Sequence, residues 1–215
     1  MKTLKIDTLV LGMVETNCYI ISNPVTKEAI VVDPGDHAHK IADFLKEQEL
    51  TCLGILLTHG HFDHILAVSE LSDLTGAKVY AHEAEMVLLQ DPKLNASSHI
   101  RAECSLTPDV LLKDGQELSL AGFSIKVIHT PGHTGGGVCY YFPDYQELFS
   151  GDTLFLEDIG RSDLPTGNGR QLVESIRTKL MTLEDEVKVH PGHGESTTIG
   201  HEKVYNFYLR DNGWE

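Results

Sequence analysis

Between residues 53 and 57 the chain reads Leu-Gly-Ile-Leu-Leu and continues without a break as Thr58-His59-Gly60-His61-Phe62-Asp63-His64. An apolar run of that length without alternation is a strand covered on both faces. Such a strand lies inside a sheet with other layers over it, which commits the chain to a layered α/β architecture. With twelve histidines in 215 residues, the pattern His-x-His-x-Asp-His is expected by chance about three times in a thousand. His59 and His61, separated by one small glycine at the strand's end, can converge on a single cation. Asp63 and His64 enter the next helix, whose turn aims them elsewhere, so the spacing suits two adjacent metal positions better than one. Imidazole and carboxylate donors suit Zn, Fe or Mn, and the lack of a nearby cysteine argues against a structural thiolate site.

The rest of the chain supplies the layers. Strands are expected at Leu4 to Leu11, Cys18 to Ser22 and Glu28 to Val32, an antiparallel opening that ends in Asp33-Pro34-Gly35. Helical spacing follows from Ala38 to Gln48 and again from Ile65 to Thr75, where Gly76 is a stop signal before a strand at Lys78 to Ala81. Between Gln90 and Asp109 periodicity lapses into a long surface excursion. Strands resume at Glu117 to Leu120, Phe123 to His129, Gly137 to Phe142 and Glu147 to Ser150. A turn-rich loop covers Gly151 to Gly169, followed by a helix at Gln171 to Leu180, a strand at Glu186 to Val189 and a last helix from Thr198 to Leu209. Two strand-rich blocks, each with helices and no dividing linker, imply one domain over residues 1–215, with two mixed sheets packed face to face and helices outside.

Three more motifs place a donor just after a strand: Thr130-Pro131-Gly132-His133, Ser150-Gly151-Asp152-Thr153 and His190-Pro191-Gly192-His193-Gly194. Pro and Gly end each strand and turn the donor outward. Donors recurring at strand ends share one sheet rim. The assignment that follows puts His59, His61 and His133 on one metal, Asp63, His64 and His193 on a second, and Asp152 between them. Asp33, which ends a strand, is placed to orient a ligand histidine from behind, or simply to form a turn. His37, His39, His82, His99, His129, His190 and His201 are read as structural, with His129 and His190 nearest the site.

Composition narrows the function. With 32 acidic against 17 basic residues the formal charge is −15, which repels nucleic acid and anionic lipid surfaces. No apolar run is long enough to span a bilayer, and the first ten residues alternate charged and apolar residues where a leader would be apolar, so a cytoplasmic location is expected. Cys18, Cys52, Cys104 and Cys139 are scattered, which argues against a disulfide framework.

The ordered set His59, His61, Asp63, His64, His133, Asp152 and His193 resembles the metallo-β-lactamase superfamily over roughly Cys18 to Asn206. Gly-Asp-Thr-Leu-Phe at 151–155, Gly160-Arg161-Ser162-Asp163-Leu164-Pro165 and Pro-Gly-His-Gly at 191–194 are similar to its short, glyoxalase II-like (hydroxyacylglutathione hydrolase-like) members. That resemblance implies a four-layer αβ/βα sandwich, two divalent metal ions (zinc first, iron or manganese as alternatives) and hydrolysis of a small-molecule thioester by a metal-bridging hydroxide. Asp63 and Asp152 would serve the catalysis, and the substrate would be a 2-hydroxyacyl thiol such as S-lactoylglutathione. A thiolate leaves without strong acid assistance, which favours thioesters over peptides. Full-length glyoxalase II proteins carry a C-terminal helical domain, which a chain ending at Glu215 is expected to lack. Where they have a basic residue followed two positions on by an aromatic, this chain has Arg161 and Asp163, so Arg161 either clamps a substrate carboxylate or bridges to an acid such as Asp163. The competing expectation is a mononuclear iron persulfide dioxygenase on the same fold, with His59, His133 and Asp152 as its facial set. β-Lactam and nuclease activities are expected less, for want of an export signal and because of the negative charge.

Overall fold

Alternation of side chains along each strand sorts the core into three packed zones. The computed structural model describes residues 3–100 and 102–210; expectations that fall on residues 1, 2, 101 and 211–215 lie outside them. The first sheet contains β1 (Lys5–Leu11), β2 (Thr16–Ser22), β3 (Glu28–Val32), β4 (Thr51–Leu56), β5 (Lys78–His82) and β6 (Val110–Leu112), in that spatial order. It is antiparallel through β3 and parallel from β3 to β6. The second is formed by β7 (Glu117–Leu120), β8 (Phe123–His129), β9 (Val138–Phe142) and β10 (Glu147–Gly151). After the small hairpin of β11 (Leu154–Phe155) and β12 (Asp158–Ile159) it gains β13 (Lys188–Pro191) and β14 (Thr197–Thr198), giving the order β14-β13-β10-β9-β8-β7. The helices are α1 (Ala38–Glu47), α2 (Phe62–Ile65), α3 (Val68–Thr75), α4 (Met86–Gln90), α5 (Gly169–Ser175) and α6 (Ile199–Tyr205).

Ile20, Val31 and Ile55 point outward to meet Ile41, Leu45, Val68 and Leu71 of α1 and α3. Their neighbours Ile21, Ile30 and Leu56 point inward, against Phe123, Ile125, Tyr140, Phe142 and Phe149 of the second sheet. On that sheet's outer face Cys139, Tyr141 and Leu148 pack with Leu172 and Ile176. These zones lie between four layers, helix, sheet, sheet and helix, so the expected αβ/βα sandwich is the observed fold. Fully buried side chains such as Phe142 and Phe149 each contribute about 1.5–3 kcal/mol through removal from water. Among the described residues no helix is long and apolar enough to cross a membrane.

Several boundaries differ from the sequence reading. The helix expected from Ile65 to Thr75 starts earlier and is broken in two, because the Ala67 N–H donates to the Pro34 carbonyl (3.1 Å) and not to its own helix. The strand expected at Glu186–Val189 lies two residues later, held by parallel pairing of Phe149 with His190 and Gly151 with Pro191. The loop after Gly151 contains the β11–β12 hairpin, and the helix expected from Gln171 ends in a π-turn at Ile176–Leu180. The last helix stops at Tyr205 and a separate 3₁₀ turn covers Phe207–Leu209. α4 and β6, flanking the surface excursion, were not expected at all.

Candidate metal centre

Strand direction brings the donors together. β3 and β4 are parallel neighbours, and β8, β10 and β13 run one way because two antiparallel steps through β9 restore direction. Their carboxyl ends open on one rim, where ligands of α/β proteins collect. Asp33 follows β3, His59 and His61 follow β4, His133 lies beyond β8, Asp152 follows β10 and His193 follows β13. The rim is tied across the two sheets. Asn17 N–H donates to the Gly192 carbonyl (2.7 Å), Asn17 Nδ2 to Pro191 and Gly194 carbonyls (both 3.0 Å), and the Tyr19 hydroxyl to Pro191 (2.6 Å). A side chain at Gly192 would have its Cβ 2.2 Å from Asp152 Oδ1 and 2.7 Å from His64 Cε1, so the close approach of this turn to the donors requires glycine.

The hydrogen bonds assign the ring tautomers. Asp33 accepts from Thr58 N–H (2.8 Å), Thr58 Oγ1 (2.6 Å) and His64 Nδ1 (2.9 Å). With its proton given to Asp33, Thr58 Oγ1 accepts from His59 Nδ1 (3.1 Å). His133 Nδ1 donates to the Arg161 carbonyl (2.7 Å), and His193 Nδ1 to the Val14 carbonyl (3.1 Å). Each ring therefore turns its Nε2 toward the rim, the arrangement that metal-binding histidines adopt when the other nitrogen donates to the protein.

Together with His61 Nδ1 and Asp63 Oδ2 these atoms cluster as two trios. His133 Nε2 is 2.9 Å from His61 Nδ1 and 3.2 Å from His59 Nε2. Asp63 Oδ2, His64 Nε2 and His193 Nε2 lie 3.2–3.4 Å apart. Asp152 stands between, its Oδ2 3.6 Å from both His133 Nε2 and His193 Nε2. Bonds of 2.0–2.1 Å to a tetrahedral ion put neighbouring donors about 3.3 Å apart, so both trios match a divalent cation in size. Asp152 Oδ1 and His61 Nε2 are buried without a hydrogen-bond partner among the described residues. The donor set fits a pair of cations. A third grouping, Asp33, His59 and His64, does not make another site, because the Asp33 oxygens are committed to Thr58 and His64.

Electrostatics divides the trios. Burial, reinforced by the neighbouring rings, holds His59 far below the usual imidazole range and His61 down to about 3. Burial also lowers His133. For His64, burial is outweighed by Asp63, Asp152 and Asp33, and the ring is pushed up. His193 is likewise raised, burial losing to its contact with Asp63 and to Asp152. Asp63, despite burial, is held far below the carboxylate range by His64 and His193.

A cavity of about 300 Å³ opens over the trios, with Val14, Phe62, Ala96 and Leu164 as its apolar wall. The excursion after α4 supplies Ala96 and anchors Phe62, whose N–H donates to the Asn95 carbonyl (2.9 Å). Arg161 lines the mouth, but its Nε and Nη2 donate to Asp163 Oδ1 and Oδ2 (2.8 and 2.9 Å), and this pairing draws Asp163 down to about 2. The bridge, one of the two readings of Arg161, is thus the geometry present. His190 bonds Glu147 (2.5 Å) and His129 stacks on His82 (centroids 4.0 Å), both outside the cluster. The sequence reading passed over Thr58, Asn17 and Glu85. A buried Asn opening an apolar strand was the available signal for Asn17; Glu85 carried none.

The probable metallo-hydrolase YqgX of Bacillus subtilis is 39% identical over 201 residues, 93% of this chain and 94% of that protein. The hydroxyacylglutathione hydrolase GloC of Haemophilus influenzae is 34% identical over 209 residues, 96% and 98% of the two chains. Among solved structures the chain is similar to the B3 metallo-beta-lactamase BLEG-1 (42% identity, TM-score 0.90, 95% of this chain and 99% of that one). It is also similar to TTHA1623 in a di-iron-bound form (34%, 0.85, 94% and 100%) and to ETHE1 from Myxococcus xanthus (28%, 0.80, 95% and 84%). A match to the metallo-beta-lactamase superfamily runs over residues 11–193, spans all seven donors, and makes this chain a member of that superfamily.

Proposed function

We propose that the protein is a metal-dependent hydrolase that cleaves small 2-hydroxyacyl thioesters, S-lactoylglutathione among them. The observation that carries the reading is the double trio with Asp152 between its halves, opening on one cavity. In this reading His59, His61 and His133 would hold one divalent ion, Asp63, His64 and His193 the other, and Asp152 would be shared between them; zinc suits the donors, as do iron and manganese. Such a pair supplies Lewis acidity, bringing the pKa of water from about 15.7 toward 7 and polarising a carbonyl.

The chain's own residues do the rest. Asp63, steadied by the Thr16 hydroxyl (3.2 Å), lies on the cavity wall where it can accept and hand on a proton. The buried rings and the apolar wall lower the local polarity, so charge developing on a carbonyl oxygen would be less screened than in water. Val14, Phe62, Ala96 and Leu164 offer an apolar seat for the rest of the substrate. Among the described residues no lysine or cysteine lines the cavity. No ammonium is therefore placed to protonate an amine, whereas a thiolate, whose conjugate acid has a pKa near 8.5, departs unaided. The relative named hydroxyacylglutathione hydrolase supports the thioester over other substrates.

The likeness to ETHE1 from Myxococcus xanthus keeps open one second reading, a mononuclear iron persulfide dioxygenase using His59, His133 and Asp152. Metal analysis paired with a substrate panel decides. The expected result is two divalent ions per chain, thiol release from S-lactoylglutathione, and loss of turnover on chelation with recovery on metal return. One iron per chain with oxygen uptake on glutathione persulfide would replace the hydrolase by the dioxygenase. A cephalosporin turned over faster than every thioester would overturn the thioester assignment.

A further inference from the structure

Glu85 is 1% exposed, in the single 3₁₀ turn Glu83–Glu85 that leads from β5 into α4. Its Oε1 accepts from the Gly60 N–H (2.8 Å); its Oε2 accepts from the Gly136 N–H (2.7 Å) and from the Thr134 hydroxyl (3.1 Å). All three are neutral donors. Gly60 lies between His59 and His61, and Thr134 and Gly136 follow His133. One carboxylate therefore spans the two loops that carry the imidazole trio. The packing is built around it: a Cβ at Gly136 would sit 2.3 Å from Glu85 N and 2.6 Å from Oε2. No partner of Glu85 belongs to α2, which bears Asp63 and His64, or to the turn that bears His193.

We propose that Glu85 is a positioning residue that clamps the His59–His61 loop to the His133 loop and thereby sets the cation affinity of the imidazole half alone. The proposal rests on the reading that these imidazoles hold a cation. A carboxylate is needed because only two acceptor oxygens can face donors from both sides. The amide of glutamine, equal in size, would turn its own N–H against one of the two loops.

The test measures cobalt affinity of the chelator-stripped, full-length protein by competition with a coloured chelator. Two backgrounds separate the halves: His193→Ala leaves the imidazole trio intact, and His61→Ala leaves the Asp63 trio. Glu85→Gln is expected to weaken binding about 10–100-fold in the first background and to change it less than about twofold in the second. Thr134→Val, which removes one donor and leaves the carboxylate in place, should weaken the first by a smaller factor and serves where Glu85→Gln fails to fold. Equal weakening in both backgrounds, or unchanged affinity in the first, overturns the proposal. Wild-type protein that takes up no cobalt overturns the metal-centre reading together with it. Two bound cobalt ions insensitive to Glu85→Gln overturn the role of Glu85 alone.

Discussion

The two halves of the centre sit a few ångströms apart, yet opposite electrostatics governs them. His59, His61 and His133 are neutral rings kept proton-free by burial and by one another. Asp63, His64 and His193 form a charged set in which three surrounding carboxylates favour positive charge. The first half offers lone pairs with nothing to displace; the second must exchange a proton for a metal. Asp33 braces both, directly at His64 and through Thr58 at His59. Neighbouring sites of like composition can thus differ in kind through one or two carboxylates.

The comparison breaks most severely at Asp152, the group the halves share. Asp152→Ala is expected to cut thiol release by about 10³-fold or more, equivalent to roughly 4 kcal/mol of barrier, with far-UV circular dichroism unchanged; turnover within tenfold of wild type would refute a bridging role. Metal removal should expose the opposite signs of the two halves. In chelated protein, His61 is folded with a pKa of about 3 and unfolded near 6.5, so the unfolded chain binds the proton first. Stability then falls as pH drops from 6.5 toward 3, by roughly 3–5 kcal/mol from this group. His64, raised on folding, stabilises fully below 6.5 and loses that contribution as pH rises through its folded value. Denaturant midpoints across pH should flatten on the acid side in His61→Gln and on the alkaline side in His64→Gln; identical profiles would erase the distinction.

A smaller effect is expected from Asn17→Ala, which frees the Pro191–Gly194 turn that carries His193. Cobalt affinity of the Asp63 half should drop about tenfold with the imidazole half untouched, the mirror image of Glu85→Gln. The smallest concerns the mouth. Asp163→Asn releases the Arg161 guanidinium, and because exposed pairs are worth about 0.2–1 kcal/mol, KM for a carboxylate-bearing thioester should fall only about two- to fivefold, with kcat and the KM of an uncharged thioester unchanged.

What could be read in the sequence follows from where each signal resides. The sequence predicts β3 at Glu28–Val32 to the residue, because turn formers at Asn23-Pro24 and Asp33-Pro34-Gly35 bracket an apolar run. That Asp63 and His64 enter a helix is legible in the motif, but periodicity runs unbroken from Ile65 to Thr75, whereas the Ala67 N–H bonds the Pro34 carbonyl and splits the helix, a contact no window of sequence contains. β6, three residues long, exists through its parallel pairing with β5. The seven donors each sit in a local motif of Gly, Pro, His or Asp, and the fold brings them to one rim. Glu85 and Asn17 act chiefly on backbone groups of distant segments, and Thr58 joins Asp33, twenty-five residues away, to its neighbour His59, so the partners that define these roles lie outside any local motif.

Because the donors come from the ends of strands in both sheets, a cation seated among them is a rivet through the sandwich. Sliding one sheet past the other would pull His59 and Asp63 away from His133 and His193, so opening the layers and losing the ion become one event. On the proposed two-cation reading, metal supply would govern more than turnover: it would set how readily this protein unfolds.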